Sequence, residues 1–503
     1  MNIPTGPDRR PWRFDLVLDT SAAVPRQTQL ARALVAEIQR GRATPGSFLP
    51  GSRTLAAQLG VNRKVVVAAV EELVAQGWLE ALPAKGIRVA LNLPRFPVGD
   101  AEARRSQAPR AAERSSTLIR VSDGLPDARI APVDALARAQ RRALRSLARA
   151  GLGYGDPAGD PVLREVLAGF VNQARGLSCF ADEVVLTHGS QGALGLFALA
   201  LLRPGDVVAV EHPGYAPAWR AFALAGASVV HIGVDAEGLR TDELEAAAKQ
   251  LRGRLKAVYV TPHHQYPTTV ALSPERRMHL RKLCEKHGAC IVEDDYDYEY
   301  HFDGAPLLPM AATPSSGGPP FVYIASLSKL LAPAVRLGYV ITDRSIVARL
   351  QATRECLDRQ GDVVLERAIA ELIEDGELQR HARRARQIYM QRRDHVLRCL
   401  AASPVLAANF ACERPSGGLA LWVRLQGAAD IDELVTRARS QELVLAPGAV
   451  HLARGKVAAF RFGFAGHTPE ELSGICETLE TCLTSESPAR RARKTASERP
   501  RRG

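Results

Sequence analysis

FVYIASLSKLLAPAVRLGY at residues 321–339 is the most informative stretch of this chain, because it places a lysine directly after an apolar strand. Lys329 stands among Ser326, Ser328 and, seven residues later, Arg336. A lysine at the end of a buried strand is a candidate nucleophile, because desolvation and neighbouring cations lower the pKa of its amine and let it attack an aldehyde. The hydroxyls and the guanidinium would hold a phosphate. Taken alone, the stretch favours an ordinary surface lysine, so the interpretation depends on the rest of the chain.

Polar groups also follow other predicted strands. The segment YGDPAGDPVLREVL at 154–167 is typical of a turn that enters a helix. The segment VVLTHGSQGALGLF at 184–197 is typical of a strand, a turn and the start of a helix, whose first N–H groups would face an anion such as phosphate. EHPGYAPAW at 211–219 places Tyr215 after an apolar strand. ACIVEDDYDYEY at 289–300 places Asp294 at a carboxyl strand end, where open sheets build their sites and where it would pair with a protonated pyridine nitrogen. Taken singly, Tyr215 favours a packing tyrosine, and the repeated acids are more often a metal site or a solvated loop.

The composition is that of a globular protein, with 46% hydrophobic and 24% charged residues among 503, and this length predicts two or three domains. The longest apolar run, GALGLFALALL at 192–202, predicts a buried helix because it is about half of a bilayer span. The N-terminus lacks an apolar signal core. Eight scattered cysteines form no CxxC pair and fit reduced thiols. We therefore expect a cytoplasmic protein without a membrane span or a metal site.

The net charge of +12 is concentrated at the two ends of the chain. Residues 1–90 hold 12 Lys/Arg against 7 Asp/Glu, residues 91–120 hold 6 against 3, and residues 484–503 hold 7 against 2. The region between is therefore close to neutral, which predicts a polyanion at the ends and a small molecule in the middle. We assign 91–120, rich in Pro, Ala, Arg and Ser, to a flexible linker. We assign 484–503 to a disordered basic tail that is either solvated or makes auxiliary phosphate contacts.

Residues 26–90 predict a helix-turn-helix followed by a β-hairpin wing. Apolar residues recur at helical spacing, Ser52 and Asn62 are predicted to cap the second and third helices, and Gly60 lies in the turn between them. Arg63 and Lys64 open the third helix, where the helix dipole disfavours cations unless phosphate or base edges lie nearby. The alternative is a small helical domain with a solvated charged face.

The segments LPGSR, LGVNR and AKGIRV resemble the LPSSR, LGVSR and GSGTFV patterns of the winged helix-turn-helix of GntR-type regulators. This resemblance covers residues 27–90 and implies phosphate and major-groove contacts from Arg53, Arg63 and Lys64. We add Asn62 and Lys85, near the wing tip, to the DNA-binding candidates. The wing departs from the family pattern because it lacks the serine and threonine.

The order of the motifs between residues 121 and 483 resembles the fold type I pyridoxal-phosphate enzymes, specifically class I aminotransferases. Joined to the head, it resembles the MocR/GabR family of regulators. The fold implied is multidomain, with a small α+β winged helix-turn-helix head at 12–90 and a large α/β aminotransferase-like domain at 121–483. The partners implied are double-stranded promoter DNA, pyridoxal 5'-phosphate or an amino compound as effector, and a second copy in a domain-swapped homodimer reading direct repeats.

The resemblance also implies roles for single residues. Lys329 would form the internal aldimine, Asp294 would pair with the pyridine nitrogen, and Tyr296 would hydrogen-bond the phenolic oxygen. Tyr215 would stack on the ring. The phosphate would be held by Ser190, Gln191, Ser326, Ser328 and Arg336, with Tyr154 reaching the phosphate of the partner subunit. Arg461, in AAFRFGF, matches the arginine that binds an amino-acid carboxylate, although a strand-edge salt bridge would also account for it.

One motif departs from both families. QYPTT at 265–269 stands where aminotransferases carry NPTG and MocR-like proteins QYPTG. Tyr266 takes the place of the asparagine, and Thr269 replaces a glycine that permits positive φ. The contacts of His264, Gln265 and Tyr266 with a cofactor, and full transaminase turnover, are therefore left open.

Three functions remain from the sequence. The first is a transcription regulator that uses pyridoxal phosphate, the second an active aminotransferase with a DNA-tethering head, and the third a cofactor-free GntR-type repressor with a scaffold domain. Lys329 and Asp294 argue against the scaffold, and the basic head argues against a simple enzyme. The first hypothesis is preferred, with at most a transaminase half-reaction.

Overall fold

The computed structural model describes Leu16, Leu18 and residues 24–83, 85–94, 118–121, 124–305, 307–312, 318–427 and 429–484. Most of the predicted linker and nearly all of the predicted basic tail lie outside these described residues. The chain divides into two compact units, Met1–Arg114 and Ser115–Gly503.

The first unit is a three-helix head with a β-hairpin. Its elements are α1 (Arg26–Gln39), α2 (Ser52–Leu59), α3 (Arg63–Ala75), β1 (Leu79–Leu82) and β2 (Gly86–Val89). Gly60 ends α2 in the left-handed conformation at φ 61°, and Asn62 caps α3 by accepting a hydrogen bond from the N–H of Lys64 at 2.9 Å. The prediction that Ser52 caps α2 was wrong. Gly51 holds the cap position, and the Ser52 hydroxyl instead accepts from Arg63 Nε at 3.2 Å.

The second unit alternates helices and strands. Its helices are α4 (Val133–Arg149), α5 (Pro161–Arg175), α6 (Gly189–Leu201), α7 (Ala216–Leu224), α8 (Thr241–Leu251), α9 (Pro274–His287), α10 (Leu327–Leu330), α11 (Arg344–Leu357), α12 (Val363–Glu374), α13 (Glu377–Ala402), α14 (Pro404–Asn409), α15 (Ile431–Ser440) and α16 (Pro469–Thr484). Its strands are β3 (Ile119–Arg120), β4 (Val184–Thr187), β5 (Val207–His212), β6 (Ser228–Asp235), β7 (Gly238–Leu239), β8 (Leu255–Val260), β9 (Cys290–Asp295), β10 (Phe321–Ser326), β11 (Gly338–Thr342), β12 (Phe410–Ala411), β13 (Ala420–Leu425), β14 (Leu443–Val444), β15 (Ala446–Pro447) and β16 (Ala459–Gly463).

An eight-stranded sheet in the order β4-β11-β10-β9-β8-β5-β6-β7 forms the centre of this unit. The pairs from β10 through β6 are parallel, and β11 is antiparallel to both of its neighbours. Alternate residues of β5 and β9 contribute to two different hydrophobic clusters, so the sheet is covered on both faces, as parallel sheets require. The carboxyl ends of β5, β8, β9 and β10 therefore meet at one edge, where the site is built.

A second sheet, in the order β12-β13-β16-β15, is antiparallel. Its buried residues Leu421, Val423, Phe460 and Phe462 share one hydrophobic cluster with helices α5, α12, α13 and α16. This packing carries Arg461, on β16, to the side of the main sheet's site.

The apolar run predicted to be a buried helix lies largely within α6, whose Ala193, Leu194, Phe197 and Ala198 are at most 1% exposed. Within the described ranges, no helix is long and apolar enough to cross a membrane. Among the same residues no group of three or more His, Cys, Asp or Glu side chains could hold a metal ion.

Candidate functional site

A cavity of about 300 Å³ opens at the carboxyl edge of the main sheet. Nine of the predicted site residues line it, namely Ser190, Gln191, Tyr215, Asp294, Tyr296, Ser326, Ser328, Lys329 and Arg336. They come from four segments that are far apart in sequence, and the sheet brings them together because β5, β9 and β10 end at the same edge.

Lys329 lies in the single-turn helix α10, directly after β10. The side chain is half-buried, and its Nζ donates a hydrogen bond to the carbonyl of Gly124 at 3.3 Å. Ser326, the last residue of β10, accepts at its hydroxyl from the N–H of Ser328 at 3.2 Å. This local bond starts the turn immediately after the strand, which places the amine at the cavity wall instead of in the sheet.

Asp294 supplies the carboxylate of the site from β9 and is 4% exposed. Its Oδ2 accepts a hydrogen bond from the hydroxyl of Tyr259, on β8, at 2.8 Å. Its Oδ1 is not in hydrogen-bond geometry with any described residue, although the Ser190 hydroxyl also favours the ionised carboxyl. Burial raises the pKa of Asp294 to about 7, although Tyr259 opposes the rise. An unpaired, desolvated carboxyl oxygen facing a cavity is a site for a cationic or proton-donating group.

An anion-binding end lies at the start of α6. Its first residue, Gly189, has φ +69°, and a Cβ there would stand 3.0 Å from a guanidinium nitrogen of Arg336. Arg336 donates to the carbonyl of His188 at 2.8 Å. The N–H groups of a helix start, a guanidinium and the hydroxyls of Ser190 and Ser328 are the donors that a phosphate takes. The Ser328 hydroxyl is buried without a partner within the described part of the chain.

Aromatic rings form the side walls. Tyr215 lies at the start of α7 and meets Tyr266 edge to face, with ring centroids 5.2 Å apart. Tyr266 also meets Tyr296 at 6.2 Å and His451 at 5.1 Å, in both cases edge-on. The Tyr296 hydroxyl donates to the carbonyl of His264 at 2.9 Å, which fixes that ring against the cavity.

The turn that departs from the family patterns carries the Tyr266 wall. Thr269 has φ 67°, the left-handed conformation that glycine adopts at little cost and a β-branched residue adopts with strain. The turn closes through a hydrogen bond from the N–H of Thr269 to the carbonyl of Gln265 at 2.7 Å. Gln265 and His264 are buried and do not line the cavity, whereas Tyr266 does.

Two predicted site residues, Tyr154 and Arg461, do not line the cavity of a single chain. Tyr154 is 80% exposed and contacts Arg359, whose guanidinium carbon is 4.4 Å from the ring centroid. Arg461 is 1% exposed and lies behind the aromatic wall, with its guanidinium carbon 4.5 Å from the Tyr266 centroid. It donates to the carbonyl of Pro267 at 2.8 Å. Arg461 does not line the cavity, but it lies against residues that do, since a Cβ at Gly124 would stand 3.4 Å from its Nη2.

Sequence reasoning missed Tyr259, Thr261, Gly124, Leu125 and Pro333, which also line the cavity. Tyr259 had a detectable signal, because it lies in the strand segment KAVYV just before the polar turn. Its pairing with Asp294 depends on the register of two parallel strands, which a single sequence does not reveal.

The head presents a separate set of cations. Arg53, Arg63, Lys64 and Lys85 are all exposed, as is the capping residue Asn62. Arg88 differs, because it is bound to Glu80 across the hairpin at 2.7 Å. The side chains at the start of α3 are thus available to phosphate groups, while one wing cation is already neutralised.

Each of the two units of the chain matches a known protein family. Residues 26–89 match the family of bacterial regulatory proteins called the gntR family, and residues 119–479 match the family aminotransferase class I and II. The latter match covers most of the chain.

Curated proteins similar to this chain include regulatory proteins. The "Probable rhizopine catabolism regulatory protein MocR" of Rhizobium meliloti is 30% identical over 389 residues, covering 75% of this chain and 77% of that protein. The HTH-type pyridoxine biosynthesis transcriptional regulator PdxR of Corynebacterium glutamicum is 28% identical, covering 91% and 96%.

Among solved structures, the kynurenine aminotransferase of Pyrococcus horikoshii, in complex with PMP, KYN and KYA, is 27% identical with a TM-score of 0.67. The match covers 78% of this chain and 100% of that one. A GntR-type head joined to a class I and II aminotransferase domain therefore identifies the chain as a member of the MocR/GabR family of GntR-type transcription regulators.

Proposed function

We propose that this protein is a pyridoxal-phosphate-dependent transcription regulator that acts on DNA in the cytoplasm. One observation carries the proposal, namely that a single chain joins exposed cations at the start of a helix-turn-helix with a cavity lined by Lys329, Asp294 and an anion-binding end. In this proposal residues 12–90 form the DNA-binding domain and residues 121–483 form the effector domain.

The groups around the cavity fit pyridoxal 5'-phosphate. When bound, this cofactor supplies an aldehyde that joins reversibly to amines and a ring that withdraws electrons. The Lys329 amine would attach to the aldehyde, and Asp294 Oδ1 would accept from the ring nitrogen. The phosphate would lie among Ser190, Gln191, Ser326, Ser328 and Arg336.

Electrostatics support this orientation. The pKa of Asp294 is raised by burial, so a cationic N–H opposite Oδ1 would return the carboxyl to its charged form and gain binding energy. Tyr215 would cover the ring face and Tyr296 would bond the phenolic oxygen. Arg461 would bind an effector carboxylate once the Tyr266 ring moves aside, because that ring now covers its guanidinium.

On DNA, Arg53, Arg63 and Lys64 would contact phosphates and base edges, with Asn62 and Lys85 beside them. A second copy would complete the assembly as a domain-swapped homodimer, with Tyr154 reaching the partner's phosphate site. Its exposure in one chain supports that role.

The test is a DNA-binding titration of the full chain on the DNA upstream of its own gene, with and without pyridoxal phosphate and a panel of amino compounds. We expect the DNA Kd to change by about tenfold when the effector binds, a coupling of about 1.4 kcal/mol. Lys329→Ala should remove the change. Lys256→Ala is the matched control, because Lys256 is an exposed lysine on β8 that does not line the cavity.

A DNA affinity that ignores pyridoxal phosphate and every amino compound would overturn the regulator hypothesis. An active aminotransferase is the second candidate, favoured by the presence of both Lys329 and Asp294 at one cavity. Multiple-turnover exchange of an amino group between an amino acid and a keto acid would support the enzyme. A single half-reaction without turnover agrees with a regulator.

A further inference from the structure

Glu211, on β5, is a buried carboxyl that none of the roles above uses. Its side chain is 2% exposed. One oxygen, Oε2, accepts three hydrogen bonds, from the hydroxyl of Thr261 at 2.7 Å, the N–H of Thr261 at 3.2 Å and Gln265 Nε2 at 3.2 Å. A carboxylate oxygen can accept several hydrogen bonds through its lone pairs. Glu211 is therefore the common acceptor for Thr261 and Gln265.

Through these bonds Glu211 supports the turn at 265–269. The Thr261 hydroxyl that donates to Glu211 also accepts from the N–H of Tyr266 at 2.9 Å. Gln265 Oε1 accepts from the N–H of Thr268 at 3.1 Å and from its hydroxyl at 2.6 Å. The side chain of Gln265 is thereby held at both ends, and the turn that carries Tyr266 is anchored to β5.

The same network reaches the opposite wall. Gln265 Nε2 also lies 2.9 Å from the carbonyl oxygen of Pro213, two residues before Tyr215, and 2.7 Å from that of Tyr266, so its two hydrogens are shared among three acceptors. A Cβ at Gly214 would lie 2.3 Å from the Glu211 carbonyl oxygen, so the chain between β5 and Tyr215 folds tightly back on Glu211. Tyr215 and Tyr266, which meet edge to face, are thus supported from one carboxyl.

The environment of Glu211 disfavours an ionised carboxylate. Within the described residues it has no ion pair with a lysine, arginine or histidine, and Asp294 is the carboxyl whose charge adds to the cost. Burial raises the pKa of Glu211 to about 7. A buried carboxyl without a cation destabilises a fold, so its contribution lies in what it positions.

We propose that Glu211 is a positioning residue of the cofactor site, which holds Tyr215 and Tyr266 around the cavity through Thr261 and Gln265. It also positions the Pro267 carbonyl to which Arg461 is bound. The proposal rests on the proposed function for its ligand, but the anchoring itself is a property of the protein alone.

The test compares Glu211→Ala and Glu211→Gln in the full chain. Amide hydrogen exchange of residues 261–270 is measured without cofactor, and pyridoxal 5'-phosphate is then titrated by absorbance and near-UV circular dichroism. Alanine removes the shared acceptor, so exchange in 261–270 should accelerate, the cofactor Kd should rise by about tenfold or more, and the dichroism of bound cofactor should change. Glutamine keeps an acceptor oxygen and should restore all three to near the wild-type values.

Glu293→Ala is the matched control. Glu293 is equally buried and has a pKa likewise raised to about 7, but its oxygens accept from the N–H groups of Met310 and Ala311, at 3.0 Å each. Its substitution should accelerate exchange near 310–311 and leave the 261–270 amides and the dichroism of bound cofactor unchanged.

Wild-type exchange in 261–270 for a folded Glu211→Ala would overturn the proposal. So would a glutamine variant as impaired as the alanine one, because charge and not hydrogen bonding would then be responsible. If the wild-type chain fails to bind pyridoxal phosphate, the proposed function fails, while the exchange measurement on the cofactor-free chain still decides the role of Glu211.

Discussion

At the scale of single residues, the site depends on how Asp294 is held. Its two oxygens differ, since Oδ2 accepts from Tyr259 and Oδ1 is unpaired among the described residues. The hydroxyl of Tyr259 stabilises the ionised carboxyl and orients the free oxygen into the cavity. Tyr259 therefore belongs to the site as a positioning residue, although it carries no reactive group.

Tyr259→Phe should weaken pyridoxal-phosphate binding by about fivefold to tenfold, because a hydrogen bond to a charged group contributes about 1.5 kcal/mol. The pKa of Asp294 should rise further. Titration of cofactor absorbance measures the affinity. Tyr323→Phe is the matched control, because Tyr323 donates in the same way to Asp295 at 2.6 Å, and Asp295 does not line the cavity. Equal losses in the two variants would contradict this role.

At the scale of elements, the starts of helices α6 and α3 both favour the binding of an anion. Each is a helix N-terminus with arginine or lysine beside it, and each suits an anion. In α6 the close approach of Arg336 requires that position 189 lack a side chain. In α3 the Asn62 cap leaves Arg63 and Lys64 exposed.

Gly189→Ala should raise the Kd for pyridoxal phosphate by about tenfold or more, because the new methyl group displaces Arg336 and φ is positive there. Binding of pyridoxal, which lacks the phosphate, should change far less. Gly195→Ala in the same helix is the control, since a Cβ there meets nothing within 4 Å. Equal effects of Gly189→Ala on the two ligands would place the phosphate elsewhere.

For α3, Arg63→Gln and Lys64→Gln should each reduce the slope of log K against log salt by about one, because each removes one phosphate contact. Fluorescence anisotropy on promoter DNA at several salt concentrations measures the slope. Arg88→Gln should change it little, since Arg88 is already paired with Glu80. A slope unchanged by both Arg63→Gln and Lys64→Gln would exclude this face of the head.

At the scale of the whole molecule, buried carboxyls couple stability to pH. Burial raises the pKa values of Asp294, Glu211 and Glu293 to about 7, whereas unfolded carboxyls titrate near 4. At these three carboxyls the folded chain binds more protons than the unfolded chain, so their contribution to stability is lost as the pH rises from about 4 through 7. Histidines whose pKa is lowered by burial, such as His263 and His381, contribute the opposite trend, because the unfolded chain binds their protons more readily. Arg129 lowers the pKa of Glu471 to about 2. The stability that such a carboxyl contributes is lost only as the pH falls below about 4.

These carboxyls should accordingly lower the unfolding temperature of the cofactor-free protein between about pH 5.5 and about pH 8, and comparison with Asp294→Asn separates the contribution of Asp294 from that of the histidines. Calorimetry or circular dichroism of the large unit's transition measures the difference. Asp294→Asn should make the pH dependence shallower, because an amide does not ionise. A Tm that changes equally with pH in the wild type and in Asp294→Asn would show that Asp294 is ionised at little cost.

Much of the site was predictable because its signals are local. Each signal spans fewer than about 15 residues: a strand followed by a lysine, a strand followed by an acid, and a glycine turn that opens a helix. The alternation of strands and helices implied that the carboxyl ends of these strands meet at one edge of the sheet. The same held for the head, where Gly60 and Asn62 mark the turn and the cap. Ser52 was misplaced by one position because the glycine before it takes the cap.

The chemical groups of the cavity, the lysine, the carboxylate and the anion-binding turn, thus follow from the order of residues along the chain. The shape of the cavity does not. Tyr259 reaches Asp294 because β8 and β9 pair in one register, Glu211 holds the 265–269 turn from a neighbouring strand, and Tyr266 covers Arg461 because β16 packs beside that turn. Such contacts join residues at least 35 positions apart, and their distances are set by strand register and side-chain packing, which no short sequence pattern encodes.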